Sequence, residues 1–269
     1  MAAKNIFDLT GKVALITGAS RGLGRAFAEA MAEFGADVAC VGRDEAKLAE
    51  TVKIIGKYKH RAIAIKADVN EEDQIKAMVA EAVKKLGKID IFFNNAGIAR
   101  PPVPIHLTPT EDWDAVINTN LRGAFLALKH VLGHMVKNKR GSVINISSIA
   151  GLRAEVPEVG PAAYGAAKAG LILLTNIAAM EYAKYNIRVN CIAPGMHKSE
   201  LGQNNPGPKP KNMPDMKKMM DKYCAEEIPM GRMAEASELA GLAVLLASDA
   251  SSYITGQVFA QDGGQSARL

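Results

Sequence analysis

The sequence predicts an α/β fold: a doubly wound parallel sheet of seven strands, with helices on both faces, in one domain. Three observations predict it. Short β-branched and apolar runs recur along the chain, and most alternate with stretches of helical periodicity. The first run leads straight into a glycine-rich turn and an amphipathic helix. The chain has 269 residues, 48% of them hydrophobic, enough to fill one large core.

Lys12 to Thr17 (KVALIT) is the first strand, a short β-branched and apolar run that fits a buried parallel strand. TGASRGLG follows, then a helix bearing Phe27, Ala30, Met31 and Phe34. Strand, glycine turn and helix together make a phosphate cradle. Gly18, Gly22 and Gly24 let the backbone approach a pyrophosphate, with Ser20, Arg21 and Leu23 in the same turn, and the helix N-terminus supplies amides and positive dipole. Asp37 to Val41 is the second strand. At its tip, where an acid would accept from the adenosine ribose, stand Gly42 and then Arg43; with Arg21 nearby, two cations favour NADP over NAD. Asp44 comes one residue late and is a candidate helix cap.

Arg61 to Lys66 is the third strand. Asp68, beside Val69, either meets the adenine edge or caps the helix of residues 71–86, which ends at Gly87. Ile89 to Phe93 is the fourth strand and runs into Asn94-Asn95-Ala96-Gly97, small residues that let a cofactor lie close. One long helix is expected over 111–137, with Asn118 and Asn120 interrupting its apolar face; a buried amide there requires a partner. His130 and His134 have a spacing that can bind metal, but without a third ligand they read as packing or surface residues. Ser142 to Ile146 is the fifth strand, ending in Ser147 and Ser148, where open α/β sheets bind ligands. After a loop at 152–162, a helix over 162–184 places Tyr164 and Lys168 one turn apart on one face. A phenol ionises near a pKa of about 10, and an adjacent ammonium favours the phenolate, so the pair is a candidate proton-transfer device. Ile187 to Ile192 is the sixth strand, before Pro194-Gly195. A helix at 235–247 and a strand from Gln257 to Ala260 close the chain.

The net charge of +5 comes from basic residues scattered among acids, without the basic, aromatic-interleaved stripe of a nucleic-acid binder. No uninterrupted apolar run reaches the roughly 18 residues of a membrane span, and no secretory signal is expected. Cys40, Cys191 and Cys224 are widely separated, which suits a reducing, cytoplasmic setting.

With these motifs in place, the chain resembles the short-chain dehydrogenase/reductase family from about Asp8 to Gly264. The resemblance rests on TGASRGLG at 17–24, NNAG at 94–97, Asn120-Leu121, Ser148, YGAAK at 164–168 and Pro194-Gly195. It implies a Rossmann fold, a nicotinamide cofactor (NADP, with NAD the alternative) and a catalytic set matching Asn120, Ser148, Tyr164 and Lys168. Ser148 rather than Ser147 fits the family serine. Two departures stand out: the Ser148–Tyr164 separation is longer than is usual, and Ser199 replaces a threonine that contacts the cofactor. The implied cofactor contacts also include Asn95, Ala96 and Gly97.

The expected activity is interconversion of a ketone and a secondary alcohol by hydride transfer. Ser148 holds the carbonyl oxygen, Tyr164 is the general acid, Lys168 tunes it and Asn120 orients a water. The pattern resembles both 3-oxoacyl-thioester reductases and gluconate-type polyol dehydrogenases. Residues 196–227 are the expected substrate lid, first a Pro-rich loop and then a helix. Met216, Met219, Met220 and Tyr223 either cover an apolar substrate or pack on the body. Lys209, Lys211, Lys217 and Lys218 either attract an anion or face solvent. The expected partners are a small carbonyl or alcohol substrate and further copies of the chain, as homotetramer or homodimer, and neither nucleic acid nor membrane. The rival reading is a catalytically silent dinucleotide-binding regulator or scaffold.

Overall fold

The computed structural model describes residues 5–154, 161–199, 201 and 216–267. Its strands are β1 (Val13–Thr17), β2 (Asp37–Gly42), β3 (Ala62–Lys66), β4 (Ile91–Asn94), β5 (Gly141–Ile146), β6 (Ile187–Pro194) and β7 (Val258–Gln261). They form one sheet in the order β3-β2-β1-β4-β5-β6-β7, every pairing parallel. The winding direction reverses between β1 and β4. At such a reversal the connections leave in opposite directions and open a crevice at the carboxyl ends of the strands.

Adjacent residues of a strand face opposite sides of the sheet, and the chain uses this to build two cores. Ile16 and Phe93 face one side, with Phe27 and Met31 of α1 (Gly22–Glu33), Leu48 of α2 (Glu45–Ile55) and Val244 of α8 (Ala240–Ala247). There Phe27 and Phe93 stack with centroids 4.9 Å apart. Leu15 and Phe92 face the other side, with Met78 of α3 (Glu72–Leu86), and with helices further along the chain. The strand starts expected at Lys12, Arg61 and Ile89 fall just outside the observed strands.

The helical region expected at 111–137 is present but is not a regular α-helix throughout. It is α4 (Thr110–Ile117), a π-helical turn over Asn118–Arg122, and α5 (Gly123–Asn138). Tertiary hydrogen bonds offset the lost regularity, as is common where such turns mark functional sites. Asn120, fully buried, donates from Nδ2 to the Ile98 carbonyl and accepts at Oδ1 from the Ile98 amide, both at 2.8 Å. Thr119 Oγ1 donates to Asn70 Oδ1 at 3.2 Å. Gly123 presses the next turn on the loop after β3; a Cβ there would lie 2.8 Å from the Val69 carbonyl oxygen.

Helix α6 (Ala162–Tyr182) is long and apolar enough by composition to cross a membrane. Here it lies along the sheet, with Leu171, Thr175, Ala178 and Ala179 buried. Helix α7 (Met216–Glu227) follows the undescribed stretch 202–215. The expected helix at 235–247 opens as a 3-10 turn, Ala236–Leu239, before α8, because a capping box between Glu235 and Glu238 tightens its start.

Candidate active site

The β1–α1 turn is shaped by glycines that cannot carry a side chain. Gly18 and Gly22 have φ of +69° and +53°, and a Cβ on Gly24 would lie 2.1 Å from the Gly18 carbonyl oxygen. Helix α1 has no acidic residue in its first turn, so its positive end is left for an anion. The turn is stitched to the end of β4: Asn95 Nδ2 donates to the Thr17 carbonyl at 2.8 Å, and Thr17 Oγ1 accepts from the amides of Asn95 and Ala96 at 3.0 and 3.1 Å.

At the tip of β2, Asp44 caps α2, its carboxylate accepting from the Lys47 amide at 3.1 Å. It is therefore committed to the helix. Asp68 does not cap α3, whose N-cap is Glu71. Its Oδ1 accepts from the backbone and side chain of Asn70, each at 3.0 Å, and its Oδ2 lies 3.6 Å from Nη1 of the largely exposed Arg43.

Strand β5 ends in two serines with different surroundings. Ser147 is buried and its hydroxyl donates to the Lys168 carbonyl at 2.8 Å, a packing bond. Ser148 starts the short turn Ile149–Gly151, accepting from the Ala150 amide at 3.2 Å, with its hydroxyl in the cleft. The N-terminal half of α6 is pressed on that turn: a Cβ on Gly151 would lie 2.7 Å from the backbone of Lys168. Lys168 Nζ is buried, donates to the Ile146 carbonyl at 2.8 Å and lies 5.5 Å from the centre of the Tyr164 ring.

Burial pushes the Lys168 ammonium down to about 8, because a low-dielectric surrounding disfavours the charged form. Exposed in an unfolded chain, the same group titrates near 10.4. Burying the ammonium therefore opposes folding below about pH 8, and the opposition fades as pH rises toward the unfolded value. The expected result is a melting temperature that gains on that of Lys168→Met as pH is raised from 8 to 10; parallel melting curves would contradict it.

One cleft runs along the carboxyl edge of the sheet. It is lined by every residue singled out for a dinucleotide: Gly18, Ser20, Arg21, Gly22, Leu23, Gly24, Arg43, Asp68, Val69, Asn95, Ala96, Gly97, Tyr164, Lys168, Pro194, Gly195 and Ser199. Ser148 lines it too. Asn120 lies behind its wall: a Cβ on Gly97 would sit 3.2 Å from Asn120 Oδ1 and 3.6 Å from Lys168 Nζ. These features fit a nicotinamide dinucleotide: a side-chain-free cradle at one end, a cationic β2 tip beside it, and a serine, tyrosine and buried lysine at the other.

Thr119, Ile98, His197 and Leu201 also line the cleft and were not expected. His197 Nδ1 lies 3.1 Å from the Gly195 carbonyl, so that nitrogen carries the proton, and Nε2 is buried without a partner among the described residues. A single histidine after Pro194-Gly195 gives no periodicity or spacing from which to read this. His130 Nε2 is 2.8 Å from Glu72, His134 Nε2 is 2.9 Å from Asn138 Nδ2, and the described residues contain no cluster of three metal-ligating side chains. Lys218 is exposed. Lys209, Lys211 and the side chains of Met216, Lys217 and Met219 lie outside the described residues.

Comparison with known proteins agrees with this architecture. A family model described as enoyl-(acyl carrier protein) reductase matches residues 18–266. The 3-oxoacyl-[acyl-carrier-protein] reductase FabG of Thermotoga maritima is 38% identical, covering 95% of this chain and 98% of that protein. The cis-4-hydroxycyclohexanecarboxylate dehydrogenase of Sinomonas cyclohexanicum is 38% identical over 95% of this chain and 97% of its own. Among solved structures, a short-chain type dehydrogenase/reductase from Mycobacterium marinum superposes with a TM-score of 0.89 at 35% identity, covering 98% and 99% of the two chains. Levodione reductase superposes at 0.87 with 34% identity, covering 97% and 99%. The match extends over almost the whole sheet and the cleft at its edge: the chain belongs to the short-chain dehydrogenase/reductase family.

Proposed function

We propose that this NAD(P)-dependent oxidoreductase, acting between a ketone and a secondary alcohol, uses Tyr164 as its proton-transfer group and prefers NADP. The observation that carries the reading is the convergence of Ser148, Tyr164 and buried Lys168 at one end of a cleft whose other end is a glycine cradle. Bound there, the nicotinamide supplies hydride in reduction and takes it up in oxidation. The Ser148 hydroxyl donates to the substrate oxygen as negative charge grows on it. Tyr164 gives its phenolic proton to that oxygen, and Lys168 favours the phenolate left behind. Ser147 is held by its bond to the Lys168 carbonyl and positions the helix. Asn120 spends one donor and one acceptor on Ile98. Its amide retains a second donor and a second lone pair, which suit a water between Gly97 and Lys168.

The NADP preference rests on Arg43, largely exposed at the β2 tip, where Gly42 stands in the place of an acid on β2 and Asp68 Oδ2 lies 3.6 Å from the guanidinium. A charge-assisted hydrogen bond contributes about 1.5–3 kcal/mol, roughly ten- to a hundredfold in affinity. Arg43→Gln is expected to raise the dissociation constant for NADPH by at least about tenfold and to leave that for NADH nearly unchanged. Fluorescence titration with both nucleotides checks it; equal losses would remove Arg43 from 2′-phosphate recognition.

The substrate is a small carbonyl or alcohol of the 3-oxoacyl-thioester or polyol and sugar-acid kind. A second, smaller cavity borders Tyr164, walled by Pro102, Val103, Pro109 and Pro161 with the Arg100–Asp112 ion pair (2.8 Å) at its edge. Following NADPH absorbance against acetoacetyl thioesters, cyclohexanones and keto-gluconates tests the activity. No oxidation of NADPH by any of them, with nucleotide binding intact, would return the silent regulator to consideration.

Helices α5 and α6 expose Phe125, Leu173, Ile177 and Met180, an apolar face suited to pairing two copies across a two-fold axis. A homodimer or homotetramer is proposed on that basis. The thiols of Cys40, Cys191 and Cys224 are all free, consistent with a cytoplasmic setting.

A further inference from the structure

The segment after β7 is packed beneath the site. Asp262 folds it: Oδ1 accepts from the Gly264 amide at 3.0 Å and Oδ2 from the Ser266 amide at 2.6 Å. Asp262 also backs the cleft wall, since a Cβ on Gly195 would lie 2.6 Å from its own Cβ. The Gly263 carbonyl accepts from the Met230 amide at 3.1 Å, which holds the segment on the turn that ends α7.

Gln265, at 3% exposure, is gripped at two points. Its backbone carbonyl accepts from Arg153 Nη2, and its side-chain Nε2 donates to the Tyr223 hydroxyl at 2.8 Å. Arg153 closes the serine turn, its amide donating to the Ile149 carbonyl at 3.2 Å. Tyr223 belongs to α7, the next described element in the chain after Ser199 and Leu201, two residues of the cleft wall. One buried residue thus joins the turn that carries Ser148 to this helix. Neither Gln265 nor Tyr223 lines the cleft.

We propose that Gln265 is a positioning residue for the ketone–alcohol reaction: it fixes α7 against the serine turn and so sets affinity for the carbonyl substrate without touching substrate or dinucleotide. The proposal rests on the reading of Ser148 as the group that holds the substrate oxygen. Reactive geometry is steep in distance, and misplacement by about 1 Å from a remote change can cost about a hundredfold. Loosening an element tied to the turn that carries Ser148, without touching the dinucleotide cradle, is expected to act first on KM. The dinucleotide cradle lies at the other end of the cleft and does not depend on this tie.

The test uses the full chain, NADPH, and two probe ketones, the N-acetylcysteamine thioester of acetoacetate and 4-oxocyclohexanecarboxylate. Gln265→Leu and Tyr223→Phe are each expected to raise KM for the better probe by about tenfold, with kcat within about threefold. Their double variant is expected to be no worse than either alone, as for two halves of one interaction. Amide hydrogen exchange across 216–227 should quicken in both, while the dissociation constant for NADPH stays within about twofold. Unchanged KM with unchanged exchange in Tyr223→Phe, which removes only a hydroxyl, would overturn the proposal; that variant decides if Gln265→Leu does not fold. An equal weakening of NADPH binding would overturn it as well, by showing general collapse. Ser148→Ala is run beside them: full turnover there would count against the serine reading alone, leaving the exchange and double-variant results to judge Gln265.

Discussion

Tyr164→Phe is expected to lower turnover by at least about 100-fold, within the range that positioned proton transfer contributes, while NADPH binds as before. The ring fills the same space in the variant, so the first turn of α6 and its contact with the serine turn survive. What disappears is the phenolic hydroxyl proposed to pass a proton to the substrate oxygen. The serine hydroxyl can share a hydrogen bond with that oxygen but has no ammonium beside it; Lys168 Nζ faces the Ile146 carbonyl and the tyrosine ring. Stopped-flow reduction of a ketone, with a parallel nucleotide titration, measures both quantities. Near-normal turnover would mean that protons reach the substrate by another route.

Gly24→Ala is expected to abolish dinucleotide binding, or the fold around it. The new methyl group would sit 2.1 Å from the Gly18 carbonyl oxygen, 2.7 Å from its carbon and 2.7 Å from Asn95 Nδ2. Two of these neighbours are backbone, so the conflict cannot be relieved by a rotamer change. Relief means opening the β1–α1 turn, which moves the amides that would meet the pyrophosphate and breaks the Asn95 bond to the Thr17 carbonyl. Gly133→Ala is the matched control. Gly133 lies on the exposed face of α5, where nothing comes within 4 Å of an added Cβ, and removing a helical glycine there should stabilise by roughly 0.4–1 kcal/mol. Thermal denaturation and NADPH titration of the two variants measure the contrast. Retention of nucleotide affinity by Gly24→Ala would show that the cradle tolerates more movement than its close contacts imply.

Much of this was legible before any coordinates because parallel sheets write themselves plainly. Runs such as VALIT and VINI are apolar on both faces since helices cover both, and the glycine turn follows from the geometry of a phosphate cradle. Legibility ended where a residue's role depends on a partner far away in sequence. Ser147 and Ser148 are alike as residue types and neighbours; only the Lys168 carbonyl, brought up by α6, separates the packing hydroxyl from the cleft hydroxyl. Asp68 reads equally as cap or ligand until Asn70 and Arg43 are seen on its two oxygens. Asn120 announced a need for a partner, yet nothing local names Ile98. An unbroken α-helix was expected because residue types alone do not mark the turn that takes an extra residue, Asn118–Arg122.

That extra residue has a further consequence. Each position advances an α-helix by about 100°, so cutting one residue from Asn118–Arg122 to make the cylinder regular would spin everything downstream by more than a quarter turn. Leu126 would move into the exposed position of Phe125, Val131 and Met135 into the half-exposed positions of His130 and His134, and exposed Lys129 into the buried position of Leu128. An aligned sequence that lacks this residue must therefore either re-phase all of α5 or belong to a protein whose amide at this site points elsewhere.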